Sequence, residues 1–513
     1  MAITTPPSPS LTRQRPKSVR PSPVVRKDPV PRRIASNFAF LSLAEIVCRA
    51  TSVGVTLSLA RRLGLSGYGR IEFAFNIVFW LVLLVRDAFE VIISRELARH
   101  PRLIRPLVNH VLAIKGTLSL ALFVGLVTMG ALTLSTAADR AILILYGLLL
   151  LTTAFGLDFV FRGTERMGLV AVSLCIRTLV YACGVWYCVT DASRIVQVPA
   201  WLAAGELCGI TLVWITYSRQ YGIPRPVFGI RFLRVFARRG RSVCLIQIAQ
   251  TILGSADLVV VCLMSQWADV GRYGAPHRMI TAISTFGFIF QQVAFPTLAR
   301  SWRQTAKAGR ETLDTMVRVV MLGLIPIAVG GSVLAEPIIR LLLSNEYQGS
   351  GLIFALGIWR APLLTLAFLY QSTLIAVNLE GVGVRLLLAG AVVAGPLVAL
   401  LRSAYGLPGA SIGILIIGLS LAIAGYSLLA RAGRQPAWHH HIGLPLASSI
   451  VMVPVCLYLV QWHVLLAVAG GGATYVGSLI LMGGLRWEDL QAIRSRRKKP
   501  ATEPVVACVA NAH

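Results

Sequence analysis

Fourteen apolar runs, each long enough to cross about 30 Å of hydrocarbon at 1.5 Å per residue, set the terms on which this chain can fold. They lie near 36–60, 68–95, 107–134, 140–161, 168–190, 197–217, 243–265, 274–298, 317–343, 351–377, 383–403, 408–430, 443–461 and 464–485. A backbone amide in hydrocarbon has no water to bond, so segments of this length satisfy themselves as helices. An all-α polytopic membrane protein with about fourteen transmembrane helices follows. The run from 383 to 430 is broken only by Arg402 to Pro408 and reads as two helices, and the last pair is divided by Gln461-Trp462-His463. A charged fraction of 14% and a mean hydropathy of +0.72 leave too little charge to coat soluble domains of 513 residues.

The formal net charge of +28 would point to nucleic acid if it lay on one soluble face. Most Lys and Arg lie between the apolar runs or in the tails instead, where they orient the chain and meet anionic lipid, so no nucleic-acid partner is expected. With the N-terminus inside, the inner segments hold about 35 Lys and Arg, including Arg95, Arg99, Arg102 and Arg105, and the outer connections about 6. An even number of helices with both ends cytoplasmic fits that ratio. Residues 1–34, rich in Pro, Ser and Arg, read as a disordered basic tail, and 486–513 as a second cytoplasmic tail. The first apolar run is too long for a signal peptide and has no small-residue cleavage site, so it stays as a transmembrane helix.

Nine cysteines show no metal-ligand spacing; eight of them fall within or beside apolar runs, where a thiol packs as a small hydrophobe. His439-His440-His441 beside Trp438 reads as an interfacial segment rather than a metal site. No phosphate-binding Gly-Lys-Ser/Thr loop, paired-His zinc helix or large outer loop is present, so neither an enzyme nor a metal or organic cofactor is expected.

The stretch Ala60 to Arg99 returns in looser form near residue 270. Gly67-Tyr68-Gly69, a long helix and Leu97-Ala98-Arg99 are echoed by Gly271-Arg272-Tyr273-Gly274, a helix and Leu298-Ala299-Arg300. Duplicated halves with ionisable groups in their helices are a common plan for membrane transporters. The boundaries read as a lobe at 35–217, a basic amphipathic connection at 218–242, a second lobe at 243–430 and two extra helices at 431–485. The connection alternates Val227, Ile230, Phe232, Leu233 and Phe236 with Arg231, Arg234, Arg238 and Arg239, as a hinge between lobes or as a basic loop held on lipid.

Each charged group at mid-bilayer costs roughly 2.5 to 3.5 kcal/mol. The runs hold Glu45, Arg49, Arg86, Asp87, Glu90, Lys115, Asp158, Arg162, Arg177, Glu206, Asp257, Arg278 and Arg360, so these groups must face one another or water. Glu45/Arg49, Arg86/Glu90 and Asp158/Arg162 are i,i+4 pairs and read as neutralised pairs on one helix face. Lys115, Arg177, Arg278 and Arg360 have no opposite charge within a turn; a water-filled cavity is the expectation, and a bridge to Glu206 or Asp257 on another helix the alternative. Arginine in such a cavity suits phosphate, because its planar fork donates two hydrogen bonds at once. Six proline positions, among them Pro296, Pro326, Pro362 and Pro396, interrupt or flank the runs and agree with moving parts.

Ala60-Arg61-Arg62-Leu63-Gly64, Gly67-Tyr68-Gly69, Arg95-Glu96-Leu97-Ala98-Arg99, Asp257, Gly271-Arg272-Tyr273-Gly274 and Phe295-Pro296-Thr297-Leu298-Ala299-Arg300 together resemble the Wzx-type polysaccharide exporters, oligosaccharide flippases of the multidrug/oligosaccharidyl-lipid/polysaccharide superfamily. The resemblance runs from about 36 to 485. It implies two six-helix bundles in a V, inward and outward states, two extra C-terminal helices, and movement of an undecaprenyl-pyrophosphate-linked sugar repeat unit across a bacterial inner membrane. It also implies work beside a polysaccharide polymerase and export machinery. On that basis Arg49, Arg86, Lys115, Arg177, Arg278 and Arg360 are the candidate anion-binding residues. Asp257, Glu206 and Glu45 are candidates for coupling to a proton or sodium gradient. A peptidoglycan-precursor flippase would use similar chemistry; a drug or cation exporter of the same fold would line its cavity with carboxylates.

Overall fold

The computed structural model describes residues 30–436 and 438–484. The basic tails lie outside these residues, apart from 30–34, which begin the first helix. Fifteen α-helices are described: α1 Val30–Arg99, α2 Ile104–Thr133, α3 Ala137–Ala154, α4 Asp158–Gly163, α5 Met167–Cys188, α6 Gln197–Tyr221, α7 Ile230–Met264, α8 Trp267–Gln304, α9 Ala306–Val333, α10 Ala335–Leu342, α11 Ser350–Gly357, α12 Arg360–Ala376, α13 Glu380–Arg431, α14 Trp438–Leu459 and α15 Val464–Leu481. Among the described residues there is no strand.

Among the described residues twelve helical segments are long and apolar enough to cross a membrane, not fourteen separate ones. The difference lies in α1 and α13, whose apolar parts run 47 and 52 residues. Each contains one glycine in left-handed backbone, Gly64 (φ 66°) and Gly406 (φ 68°), a conformation that glycine adopts without steric cost. At these points the chain reverses. Cys48 of α1 touches Cys175 midway along α5, the Arg62 guanidinium bonds the carbonyls of Trp186 and Val189 at the C-terminal end of α5, and Ser94 has come back to the Phe159 carbonyl. In α13, Gly390 lies against Leu421, Gly413 against Val398 and Gly409 against the Leu401 carbonyl, the cross-matches of an antiparallel hairpin. The polar break read at Arg402 to Pro408 is therefore a turn centred on Gly406.

One apolar core joins α1, α2, α4, α5 and α6 around Phe159, Phe161 and Tyr217, and another joins α7, α8, α9, α12, α13, α14 and α15 around Leu324, Tyr370 and Leu421. A third spans both halves, from Leu59, Tyr68 and Val78 to Ile280, Ile339 and Tyr347. The two last helices lie on α9: Tyr475 donates to the Leu322 carbonyl at 2.8 Å, and Arg318 to that of Gly484 at 2.7 Å. The basic stretch after residue 230 is helical backbone continuous with α7, not a helix of its own.

The halves meet at the end that carries Gly64. A Cβ on Gly69 would overlap the carbonyl oxygen of Trp267, and one on Gly271 would overlap that of Leu65, so α1 and α8 cross backbone against backbone. The Tyr-Gly stretch and its echo thus touch each other. Around the crossing, Arg61 donates to the Leu341 carbonyl, Leu65 N–H to Glu346, and Tyr347 O–H to the Ala60 carbonyl at 3.5 Å.

Candidate functional site

Two apolar spans are broken, and each break immediately precedes a charged residue. Between α3 and α4 the helix opens at Phe155–Leu157, so Asp158 begins α4; between α11 and α12 it opens at Ile358–Trp359, so Arg360 begins α12. Broken helices deep in a membrane protein free backbone groups and place side chains where an unbroken helix would bury them. Asp158, at the start of α4, sits favourably in the helix dipole. At Arg360 the backbone of Ile358 and Trp359 stays right-handed helical, and the buried guanidinium is held by groups on other helices.

Those groups are on α7 and α8. Arg360 Nη1 donates to Asp257 Oδ2 at 3.0 Å and to His277 Nε2 at 2.9 Å, and Nη2 to Thr281 Oγ1 at 3.1 Å. Tyr273 O–H donates to Asp257 Oδ2 at 2.7 Å, and Ser411 of α13 donates to the tyrosine oxygen at 3.3 Å. Both ion-pair partners are only 3% exposed, so the cluster is dry.

In the first half, Arg177 of α5 lies between two acids, 2.8 Å from Asp158 and 3.0 Å from Glu206. Gly205 and Gly209, one turn apart on α6, leave the space that the Arg177 side chain and backbone occupy. Lys115, fully buried, lies 3.8 Å from Glu90 and over the Phe159 ring.

Between the halves, Arg278 of α8 bridges to Glu72 of α1. Its Nε donates to Oε1 at 2.9 Å and Oε2 at 3.2 Å, its guanidinium lies 4.2 Å over the Phe75 ring, and Tyr68 O–H donates to the same carboxylate. Gly274 makes room, since a Cβ there would come within 2.6 Å of Glu72 Cγ. Glu72 is 2% exposed, but Arg278 is 32% exposed, so the pair leaves its cation partly uncovered. Arg49 and Arg86 are exposed, and Arg49 lies within reach of the charges of Arg86, Arg278 and Glu45. Three arginines from α1 and α8 thus converge.

These pairings correct the sequence reading. Lys115, Arg177, Arg278 and Arg360 each bridge to a carboxylate on another helix, and Lys115 and Arg360 are closed off from water. The i,i+4 rule misplaces one pair, since Asp158 turns to Arg177 rather than Arg162, which is exposed, and Glu90 has Lys115 of α2 beside it. Of the coupling candidates, Glu206 and Asp257 are salt-bridged and Glu45 is half-buried on α1. Glu72 and His277 were missed. Glu72 stands one turn after Tyr68 in the Tyr-Gly stretch, and His277 one turn after Tyr273 in its echo, so the repeat itself held the signal. The Asp87 side chain, and those of 230–243, lie outside the described residues. His441 lies 3.3 Å from Asp314.

An open recess of about 680 Å³ between α3 and α6, lined by Leu148, Leu207, Ile210, Trp214 and Ile215, has no charged residue in its walls. It is unsuited to an anionic headgroup.

Apolar helical spans meeting at one end, with charges gathered where the two halves face each other, define a multi-pass membrane protein. Residues 34–302, more than half the chain, match the family described as polysaccharide biosynthesis protein, and the chain belongs to that family. No curated relative matches it in sequence. Its fold is similar to that of the lipid II flippase MurJ in an inward closed conformation, with a TM-score of 0.72 and 13% identity over 86% of this chain and 98% of that one. It is also similar to an inward-facing multidrug resistance MATE family transporter, with a TM-score of 0.62 and 12% identity over 75% of this chain and 94% of that one. The MATE multidrug transporter DinF-BH follows at a TM-score of 0.59 and 14% identity over 81% and 99% of the two chains. At these identities the likeness is one of fold.

Proposed function

We propose that this protein flips an undecaprenyl-pyrophosphate-linked oligosaccharide repeat unit across the bacterial inner membrane, for exopolysaccharide, capsule or O-antigen synthesis. The observation that carries the reading is that exposed Arg49 lies within reach of the charges of Arg86 and Arg278, which brings three guanidinium groups of α1 and α8 into one neighbourhood. Arg278 spends its Nε–H on Glu72, and a diphosphate accepts bidentate hydrogen bonds from guanidinium N–H groups that remain. The lipid tail of such a substrate stays in the bilayer while the headgroup passes. In this reading both termini are cytoplasmic, the Gly64 end faces outward, and the structure is the state closed on that side. A polymerase and export machinery take the product onward.

Arg177 and its two acids act as a positioning cluster for the first half, and Asp257, Glu206 and Glu45 are the coupling candidates for a proton or sodium gradient. A second reading, flipping of the peptidoglycan precursor, shares the diphosphate chemistry and is favoured by the fold likeness to MurJ. Multidrug export fits less well, because the deeply buried acids Glu72, Glu90 and Asp257 are bridged to cations and not held ready for a cationic drug.

The test is complementation in two strains, one lacking its oligosaccharide flippase and one depleted of its peptidoglycan-precursor flippase. Restored surface polymer in the first strain alone supports the proposal, and rescue of the second alone replaces it with the second reading. Reconstituted vesicles that move a fluorescent lipid-linked oligosaccharide, but not with Arg49→Ala, would tie the movement to the arginines.

A further inference from the structure

His277 contacts Arg360 in a way that fixes its protonation. A guanidinium can only donate, so the 2.9 Å contact from Arg360 Nη1 makes His277 Nε2 an acceptor without a proton, and the ring neutral. Its proton then sits on Nδ1, which faces Thr281 Oγ1 at 3.5 Å. The same Nε2 lies 3.4 Å from Asp257 Oδ1. A proton on Nε2 would end the bond from Arg360, place a second cation beside it, and offer Asp257 a new partner without moving α8. Arg360, repelled by the new cation, would lose its hold on the acid.

We propose that His277 is the proton-binding residue of a switch in which protonated His277 and Arg360 compete for Asp257. The proton comes from water at the 7% of the His277 side chain that stays exposed and is taken by Nε2; no other bond is made or broken beyond the exchange of hydrogen-bond partners. The charged and titratable groups that face the switch are Asp257 and Cys262 of α7, Tyr273 and Arg278 of α8, Arg360 of α12 and, from the other half, Glu72 of α1. Arg278 follows His277 directly in the chain and carries the bridge to Glu72, so the switch adjoins the contact between the halves. The discrete element biased by the proton is the Asp257–Arg360 bond that ties α7 to α12.

This inference rests on the reading of the protein as an alternating-access transporter, but not on the identity of its cargo. Its test uses the full chain in lipid nanodiscs with spin labels on cysteines at Thr190 and Gln348, exposed positions in the two halves, in a background free of native cysteines. The distance distribution is recorded at pH values from about 8 to about 5, which bracket an ordinary imidazole. A population of longer distances should grow as the pH falls, and this response should shrink at least about fivefold in His277→Asn and His277→Gln, whose amides still accept from Arg360. Asp257→Asn, which removes the acid for which the two cations compete, should give the longer distances at every pH. An unchanged distribution in the parent protein, or a full pH response in either His277 variant, overturns the proposal. No sugar substrate enters the measurement, so an intact pH response with failed complementation would sink the flippase reading and leave the switch standing.

Discussion

Arg278 and Glu72, on helices from opposite halves, are joined by two hydrogen bonds of 2.9 and 3.2 Å from one guanidinium nitrogen. Removing the cation leaves a carboxylate that is 2% exposed with no compensating charge. Arg278→Ala and Glu72→Ala should each lower stability by about 3–5 kcal/mol, and the double variant should recover most of that loss. Thermal unfolding of the three purified variants checks the cycle. Surface polymer should be absent in all three, because the double variant also lacks a cation of the proposed site.

Arg49 and Lys115 should separate cargo binding from support. Arg49 is exposed, so Arg49→Ala should change stability by less than about 0.5 kcal/mol yet cut surface polymer at least about tenfold. Lys115 is fully buried against Glu90, and Lys115→Ala should instead lower stability by about 3–5 kcal/mol. Polymer per inserted molecule, measured beside the unfolding temperature, distinguishes the two.

The crossing of α1 and α8 tolerates no side chain. At Gly69 and Gly271 the obstacle is a backbone carbonyl that cannot rotate away, so an alanine at either position should cost about 1–3 kcal/mol and part the helices at that end. A cysteine placed at Leu343, buried beside the crossing, should then react faster with an impermeant thiol reagent than in the parent protein.

The two reversals differ in surroundings. A Cβ at Gly406 meets open space, so Gly406→Ala should cost only the backbone strain, about 1–3 kcal/mol. Gly64→Ala carries the same strain and also presses on the Glu346 carboxylate at 3.0 Å, which accepts from Leu65 N–H, so it should be the more damaging. Comparing the two unfolding temperatures measures the contribution of the Glu346 contact.

Apolar run length fixed the helices in advance because in lipid the backbone has no alternative partner. The turns at Gly64 and Gly406 were legible as polar breaks, although the structure tightens each break into a single reversing glycine. Which charge meets which was legible only as the alternative of a bridge to Glu206 or Asp257 on another helix, which Arg177 and Arg360 make, whereas Arg278 finds Glu72, which was not among them. Helical spacing sees only i±4 neighbours and so assigned Asp158 to Arg162, missing Arg177 on the next helix. His277 escaped because a neutral ring adds nothing to a count of charges, yet it lies against the buried cation that count did find. The breaks before Asp158 and Arg360 left no mark in hydropathy, because both flanks remain apolar.

Gly69 stands one residue after Tyr68 and Gly271 two residues before Tyr273, and each abuts the backbone that carries the other. The seam between the halves leaves room for a hydrogen atom and nothing larger on either face, so any residue that widens it at one glycine pulls the opposite backbone off the other.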